Sequence, residues 1–407
     1  MQTRRRVNLA VLSAVVVLVL SGAGWAAEAR DSAAGGTAKP FGLDKVIAFY
    51  GAPKDIAAAN FVLSGDWKYW QSRGGVASRG ITHQQFLRKS VDEASNVLVN
   101  LDLAGSPNPV ITIDEFGWDY DGGIDRHTAA ILKAVHQKKP GLKIAVWQMR
   151  GPVAPGLAAV YRDTVELVMM ETYFDLKDAW MIPFQLQTAR LNGLLGKTII
   201  GLGIGKESPD LGGHPWTQTR EELDQQLRLI RFVAPESPGV AFFGLDRLGK
   251  CPLTKEELDQ LCQRFLQLPR DGAGLKPELR ALGMTFATRY EKPAVFCSSE
   301  FVLPYFHSGH DGGPWGSAHQ PPVARVLLMN LGDQNAKGIK VGLRSPGAGG
   351  EVWAQGLVDL PARSVVATVL PILPGKKWHG WTGTEIMEVD APGCAVFNFK
   401  DSRFGAK

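Results

Sequence analysis

The chain has 407 residues, 45% hydrophobic and 21% charged, and this composition excludes a mostly disordered protein. Its 46 glycines follow no triplet period, and its four cysteines are too few for a small disulfide-rich scaffold. The net charge of +5 is not gathered into a basic stripe, so nothing indicates nucleic-acid binding. The length allows two or three domains.

The first 29 residues have the pattern of a secretory signal peptide. Three arginines at positions 4–6 precede an apolar segment over 7–20, and Ala27-Glu28-Ala29 fits a signal-peptidase site. The apolar segment is shorter than the roughly 20 residues that a membrane-spanning helix needs, which disfavours an uncleaved anchor. We therefore expect cleavage after Ala29, a linker over 30–41, and a secreted or periplasmic protein with no membrane association after cleavage.

From residue 42 to 270, short apolar segments alternate with longer amphipathic ones. The short segments predict strands over 46–50, 61–63, 110–115, 143–148, 165–171, 198–204 and 240–245, with an eighth within 65–81. The longer segments predict helices over 84–101, 124–138, 179–195, 220–233 and 256–268. Thr254 and Glu257 have the spacing of a capping box, which predicts a helix start.

This alternation predicts a parallel sheet, for which two architectures compete. A doubly wound open sheet usually carries a glycine-rich phosphate-binding turn after its first strand, but here that position reads Gly51-Ala52-Pro53. We therefore predict a (β/α)8-type (TIM) barrel, complete or short of a strand. After a connector over 271–292, segments with strand-like composition and Gly/Pro turns predict a small antiparallel β-sandwich over 293–407, an accessory domain.

The cysteines and histidines give no metal-binding pattern. No Cys-x-x-Cys motif and no histidine pair has ligand spacing, so neither a metal nor a cofactor is predicted. In an exported protein, disulfides can form. Cys297 and Cys394 both flank strand-like segments, and we expect them to be joined, with free buried thiols as the alternative.

Acidic residues stand at the ends of three predicted strands, where the active site of a barrel enzyme forms. They are Asp114 and Glu115, then Glu171, and last Asp246. Two carboxyl groups facing one cleft can serve as proton donor and as base or nucleophile, which is the equipment for glycoside hydrolysis. Strand alternation sends Asp114 and Glu115 to opposite sides, and Glu115 is our preferred catalytic group. Structural ion pairs are the alternative for each.

Aromatic and hydrogen-bonding residues accompany these acids and could bind a sugar, whose C–H faces stack on rings. The predicted substrate-binding residues are Tyr50, Trp118, Trp147, Gln148, Tyr173, Trp216 and Asp246. The other interpretation is that about half of the aromatic rings only pack in the core or in loops. No Gly-x-Ser-x-Gly motif is present, which argues against a serine hydrolase of the usual α/β type.

Three segments resemble secreted (β/α)8-barrel glycoside hydrolases of the chitinase-like group. Met170-Glu171-Thr172-Tyr173 is similar to their methionine–threonine–tyrosine strand end, 199–205 to their following glycine-rich strand, and 239–246 to their last strand. Their acidic signature of three aspartates and a glutamate is absent, and Asp114-Glu115 stands in its place. The resemblance implies a barrel and a carbohydrate substrate, without implying chitin or substrate-assisted catalysis.

These observations predict an exported glycoside hydrolase acting on a poly- or oligosaccharide. Glu115 would protonate the leaving oxygen, Asp114 would orient it, and Glu171 would act as base or nucleophile. Two alternatives are a carbohydrate-binding barrel without catalysis and a structural protein of the cell envelope. The sequence does not specify the sugar, the linkage, the anomeric outcome or the oligomeric state.

Overall fold

The computed structural model describes residues 39–399 except for several internal segments. These are 64, 87–88, 117–121, 149–152, 174–175, 205–218, 245–252, 299–302, 305–322, 346–349 and 375–385. The predicted signal peptide and most of the linker lie outside the described residues.

Eight parallel strands close into a barrel, in which each strand pairs with the next and the last pairs with the first. They are β1 Val46–Tyr50, β2 Phe61–Leu63, β3 Val76–Thr82, β4 Val110–Phe116, β5 Lys143–Gln148, β6 Leu167–Thr172, β7 Thr198–Gly203 and β8 Gly239–Phe243. Ala48 of β1 pairs with Phe61 on one side and Ala241 on the other, which closes the ring. The predicted barrel is confirmed, and it is complete.

A helix follows each barrel strand from β2 to β8, whereas β1 leads directly to β2, and one more helix comes after the last of these. They are α1 Trp67–Ser72, α2 Val91–Val99, α3 Gly122–Lys138, α4 Pro155–Thr164, α5 Met181–Leu191, α6 Arg220–Val233, α7 Lys255–Phe265 and α8 Pro277–Ala287. A Thr254–Glu257 capping box starts α7, as its sequence predicts, and similar boxes start α2 and α6. Helix α8 occupies the segment that we interpreted as a connector, and its Phe286 is buried.

Period-two alternation divides the apolar residues of the strands between two cores. Inside the barrel lie Val46, Ala48, Phe61, Val110, Ala145, Trp147, Leu167, Met169, Ile199 and Ala241. The alternate positions, such as Ile47, Ile113 and Phe242, face the helices in a larger outer core. Phe41, before β1, stacks on Phe61 at 5.1 Å and packs against the inner core.

The C-terminal strands form two further sheets. The strands are β9 Ala294–Ser298, β10 Leu303–Pro304, β11 Val323–Asn330, β12 Ala336–Arg344, β13 Val352–Leu360, β14 Ser364–Pro371, β15 Ile386–Asp390 and β16 Ala395–Phe399. One sheet has the order β10-β11-β9-β16, with β14 also on β11, and the other has the order β13-β12-β15. The pairs are antiparallel, except that β16 runs parallel to β9.

Aromatic rings join the first of these sheets to the helical layer. Trp180 stacks on Phe399 at 5.2 Å, and Phe286 of α8 lies 4.9 Å from Phe296 of β9. The described parts of the barrel and the sheets belong to one compact unit. The division into a barrel domain and an accessory domain therefore stays a prediction.

The expected disulfide is wrong, because Cys297 and Cys394 are both free thiols. In the β16–β9 register, Asn398 lies opposite Cys297, so Cys394 is displaced by 398 − 394 = 4 residues. That displacement is about 13 Å along a strand, well beyond the reach of a disulfide. Among the described helices, none is long and apolar enough to cross a membrane.

Candidate active site

The inward-facing positions at the carboxyl ends of the barrel strands bring acidic and aromatic side chains together. Tyr50 follows Val46 and Ala48 on the inner face of β1, and it packs against the inner core with Tyr173 and Phe243. Asp114 continues the inner face of β4 after Thr112, whose hydroxyl lies 2.7 Å from that of Ser78. This is the end of the barrel at which TIM-barrel active sites form.

We call the carboxyl-terminal end of the barrel interior the mouth. Asp114 links β4 to β1 across it. Its side chain accepts a 2.8 Å hydrogen bond from the hydroxyl of Tyr50, and the residue is only 8% exposed. A carboxylate so far removed from water needs hydrogen bonds to remain charged. Tyr50 therefore holds Asp114 in a fixed position facing the barrel axis.

Trp147 forms the floor of this region. Its ring is fully buried, and the Tyr50 ring packs on it edge-on with 5.6 Å between centroids. The indole Nε1 donates a hydrogen bond to the hydroxyl of Tyr173. Phe243 stacks on Tyr173 at 4.9 Å and contacts Tyr50 at 4.8 Å. The four rings form one connected aromatic cluster.

Tyr173 lies within the electrostatic reach of two carboxylates on different strands. Its pKa is raised well above the usual value, first by burial and then by the charges of Glu171 and Asp114, while the bond from Trp147 acts in the opposite direction. The phenol therefore stays protonated at neutral pH. Because one hydroxyl responds to both acids, Asp114 and Glu171 share its surroundings.

Glu171 is half-buried at the end of β6, and its backbone is firmly anchored. Gln185 of α5 donates to the Glu171 carbonyl at 3.3 Å and accepts from the Thr172 hydroxyl at 2.6 Å. On β7, Gly201 lies opposite Glu171, and a Cβ there would lie 3.2 Å from the Met170 carbonyl oxygen and 3.4 Å from the Trp147 ring. The tight contact of a side chain here would therefore be with the backbone of β6.

A β-bulge interrupts β4 at the two acidic residues. Ile113 pairs with Val146 and Phe116 pairs with Gln148, so Asp114 and Glu115 together lie opposite Trp147. Two residues opposite one is the definition of a bulge, and regular alternation stops there. The alternation that we used to separate Asp114 from Glu115 therefore does not hold. The side chain of Glu115 lies outside the described part of the chain.

The other predicted residues have different outcomes. Gln148 is buried on the helix side of β5, where its side-chain oxygen accepts from the Tyr161 hydroxyl at 2.9 Å. A substrate in the barrel mouth would not reach it there, so this position gives no support to the predicted contact. Trp118, Trp216 and Asp246 lie outside the described residues. Sequence analysis missed Phe243, although it stands two residues after the inward-facing Ala241.

The rim of the closed barrel is lower at β2 than at β3. Strand β2 has three residues and ends at Leu63, which pairs with Ser78, while β3 continues to Thr82. Gly80, on the inner face of β3, is exposed as a result. A separate cavity of about 190 Å³, lined in part by Trp67, contains none of the mouth's acidic side chains. Among the described residues, no group of histidine, cysteine and acidic side chains could hold a metal ion.

No protein-family model matches the chain, and no curated protein matches it in sequence. Solved structures do match. An endo-β-N-acetylglucosaminidase from Cordyceps militaris is 12% identical, with a TM-score of 0.41, over 55% of this chain and 91% of that one. A family 18 chitinase from Pseudoalteromonas aurantia is 10% identical, with a TM-score of 0.34, over 49% and 94%.

A family 5 glycoside hydrolase from Bacteroides vulgatus is 10% identical over 80% of this chain and 89% of that chain, with a TM-score of 0.34. At these identities and scores, similarity carries no information about activity, which has to come from the site itself. The barrel implied by the sequence resemblance is confirmed, and no family is identified.

Proposed function

We propose that this protein is a glycoside hydrolase whose catalytic groups come from β4 and β6. The observation that carries the proposal is the shared environment of Asp114 and Glu171 around the Tyr173 hydroxyl. Two carboxyl groups from separate strands, facing one hollow, are what acid–base cleavage of a sugar–sugar bond requires.

The aromatic side chains around these two acids suit the binding of a sugar ring. Tyr50, Tyr173 and Phe243 are each partly exposed above the buried Trp147, so their rings offer apolar surface beside hydroxyl groups. A sugar needs both, because its C–H faces are apolar and its hydroxyls require directional partners. The lower rim at β2, beside the exposed Gly80, gives a chain-like substrate a route out of the mouth.

We assign the roles as follows. Glu115 protonates the leaving oxygen, and Glu171 acts as base or nucleophile. Asp114, held by Tyr50, orients the proton donor beside it in the bulge. The bulge supports this assignment, since Asp114 and Glu115 both stand opposite Trp147 and alternation no longer forces them apart.

The test is hydrolysis of a panel of α- and β-linked oligosaccharides, including N-acetylglucosamine oligomers, followed by reducing-end release. Glu115→Gln and Glu171→Gln should each lower kcat by about 10²–10⁴-fold, the usual contribution of a general acid or base, and Asp114→Asn, which removes an orienting group, should lower kcat less. Glu256→Gln, an exposed acid in the first turn of α7, is the matched control and should retain wild-type activity. Full activity in Glu115→Gln or Glu171→Gln would contradict that residue's role.

Deleting Glu115 gives a sharper test. Without Glu115, regular alternation would send Ile113 outward, Asp114 inward and Phe116 outward. The strand would therefore keep its outer packing and the inward position of Asp114. The deletion variant should fold, with a melting temperature close to that of Glu115→Gln, and should lack hydrolase activity. An active deletion variant would rule out Glu115 as the proton donor.

The same panel separates hydrolysis from binding alone. Saturable binding of an oligosaccharide by the wild-type protein, with no cleavage between pH 4 and 8, would replace the proposal with a carbohydrate-binding barrel. NMR of the first product formed would show whether the anomeric configuration is retained or inverted.

We also propose that residues 1–29 direct export and are removed. Their charged start, apolar segment and small-residue cleavage site support this proposal. Expression of the full chain in a bacterial host should yield a mature protein that begins at Arg30 in the periplasm or medium. An intact N-terminus retained in the cytoplasm would contradict it.

A further inference from the structure

Three basic side chains at the amino-terminal end of the barrel, opposite the candidate active site, lie within electrostatic reach of one another. Lys45 directly precedes β1, Arg231 is in the last turn of α6, and Arg270 follows α7. The backbone N–H of Val46 donates to the Pro238 carbonyl at 3.0 Å, which joins the start of β1 to the loop between α6 and β8. We call Lys45, Arg231 and Arg270 the basic cluster.

Arg231 is the buried member of the basic cluster, with only 4% of its surface exposed. Its Nη1 donates to the Pro235 carbonyl at 3.2 Å, and its guanidinium lies over the Phe265 ring at 5.7 Å. Its buried Nε has no hydrogen-bond partner among the described residues. The edge formed by Nε and Nη2 is therefore unused by the described chain, and it is the edge that arginine offers to a bidentate oxyanion.

The charges of the basic cluster repel one another. Burial and the charges of Arg231 and Arg270 lower the pKa of Lys45, and burial and Arg270 lower the pKa of Arg231. The charge of Asp44 offsets part of this repulsion at Lys45, but Asp44 is also paired with Lys39, and Glu236 is paired with Arg190.

A purely structural role explains only part of this arrangement. A cation in the last turn of α6 complements the helix dipole, and the bond to Pro235 holds the turn after it. Neither effect accounts for two further cations beside Arg231 or for its unused Nε. Burying a charge without a counter-charge is costly, and a bound anion would remove that cost.

We propose that the basic cluster binds an oxyanion, namely a phosphate, sulfate or carboxylate group, on the Nε–Nη2 edge of Arg231. Lys45 and Arg270 flank the bound group and supply the remaining positive charge. The recognised chemistry is the same for a free inorganic ion and for an anionic group carried on a larger molecule. The site is separate from the catalytic mouth and independent of the proposed hydrolase activity.

The test is thermal unfolding of the protein with increasing sodium phosphate, sodium sulfate or an oligosaccharide bearing carboxylates, against sodium chloride at equal ionic strength. A bound anion stabilises the folded state in proportion to the logarithm of its concentration above the dissociation constant. We expect at least one of the three to raise the melting temperature in proportion to the logarithm of its concentration, and by more than chloride does.

Variants of the half-buried Lys45 and of the exposed Arg270 test the site without changing the buried Arg231. Lys45→Gln and Arg270→Gln should each weaken anion binding at least about 10-fold, whereas Arg280→Gln, an exposed cation on α8, should bind as the wild type does. Without anion and at low salt, Arg270→Gln should melt no lower than the wild type, because it removes repulsion. Arg231→Lys keeps the charge but not the planar edge, and it should also lose binding.

Two results would overturn the proposal. One is a wild-type response to all three anions that equals the response to chloride. The other is an anion response that Lys45→Gln and Arg270→Gln share fully with Arg280→Gln.

Discussion

Acidification should destabilise this protein through His127, a residue of α3 that is only 8% exposed. Burial lowers the pKa of His127 from its ordinary value of 6.5 to about 4, while a hydrogen bond with the backbone of Lys89 acts in the opposite direction. Between these two values the unfolded chain binds a proton at this side chain and the folded chain does not. Stability contributed by the neutral imidazole is therefore present near pH 7 and is lost as the pH falls toward 4.

The size of the effect follows from the two pKa values. Proton linkage gives a loss of about 2 kcal/mol in unfolding free energy between pH 7 and pH 5, rising to about 3 kcal/mol below pH 4. A loss of that size is a substantial part of the roughly 5–15 kcal/mol that stabilises an ordinary domain.

Urea unfolding at pH 7, 6 and 5 measures this loss of unfolding free energy directly. The urea midpoint of the wild-type protein should fall as the pH is lowered. His127→Gln cannot be charged at this position, so its free energy of unfolding should fall by about 2 kcal/mol less than that of the wild type between pH 7 and pH 5. His136→Gln, on the exposed side of the same helix, is the matched control and should follow the wild type. The reasoning is refuted if His127→Gln and the wild type lose stability in parallel.

Three further substitutions test the packing of the barrel. Tyr173→Phe removes the acceptor of the fully buried Trp147 indole and should cost about 1–3 kcal/mol in urea unfolding; an unchanged midpoint would show that the bond contributes nothing. Gln148→Leu should lower the melting temperature but leave KM unchanged, because Gln148 lies on the helix side of β5; a raised KM would place it in contact with substrate. Gly239→Ala should abolish soluble expression, since its Cβ would lie 1.7 Å from a backbone oxygen of β1, whereas Gly141→Ala, with nothing within 4 Å, should express normally.

Most of the barrel could be predicted from the sequence because its strands are buried on both faces. Such strands appear as short continuous apolar segments, and those over 46–50, 61–63 and 143–148 match the structure residue for residue. Strand β3 could be placed only within a wide segment, because Ser78, Arg79 and Gly80 interrupt its apolar character. In the structure, Ser78 bonds to Thr112 inside the barrel and Arg79 is exposed outside it, so this strand lacks a second apolar face.

The sequence of α8 has features that are typical of a helix. Pro277 stands at the first helical position, and Leu279, Gly283 and Phe286 recur at helical spacing and are buried against the neighbouring helices. We interpreted this segment as a connector. Gly283 is needed for its packing, because a Cβ there would lie 2.6 Å from the Phe232 ring of α6.

The orientation of the acidic residues could not be predicted, because it depends on a bulge that alternation does not reveal. Ile113 and Phe116 are three positions apart, so a regular strand would place them on opposite faces, yet both pack in the outer core. Without the bulge, Phe116 would face the mouth, and a large apolar ring would occupy the space beside Tyr50 and Asp114. The extra residue in β4 keeps Phe116 outside while Asp114 bonds to Tyr50, so the bulge sets the polarity of the mouth. Sequence therefore identifies which strand carries the acids, whereas the backbone pairing of β4 with β5 keeps Phe116 out of the mouth that Asp114 faces.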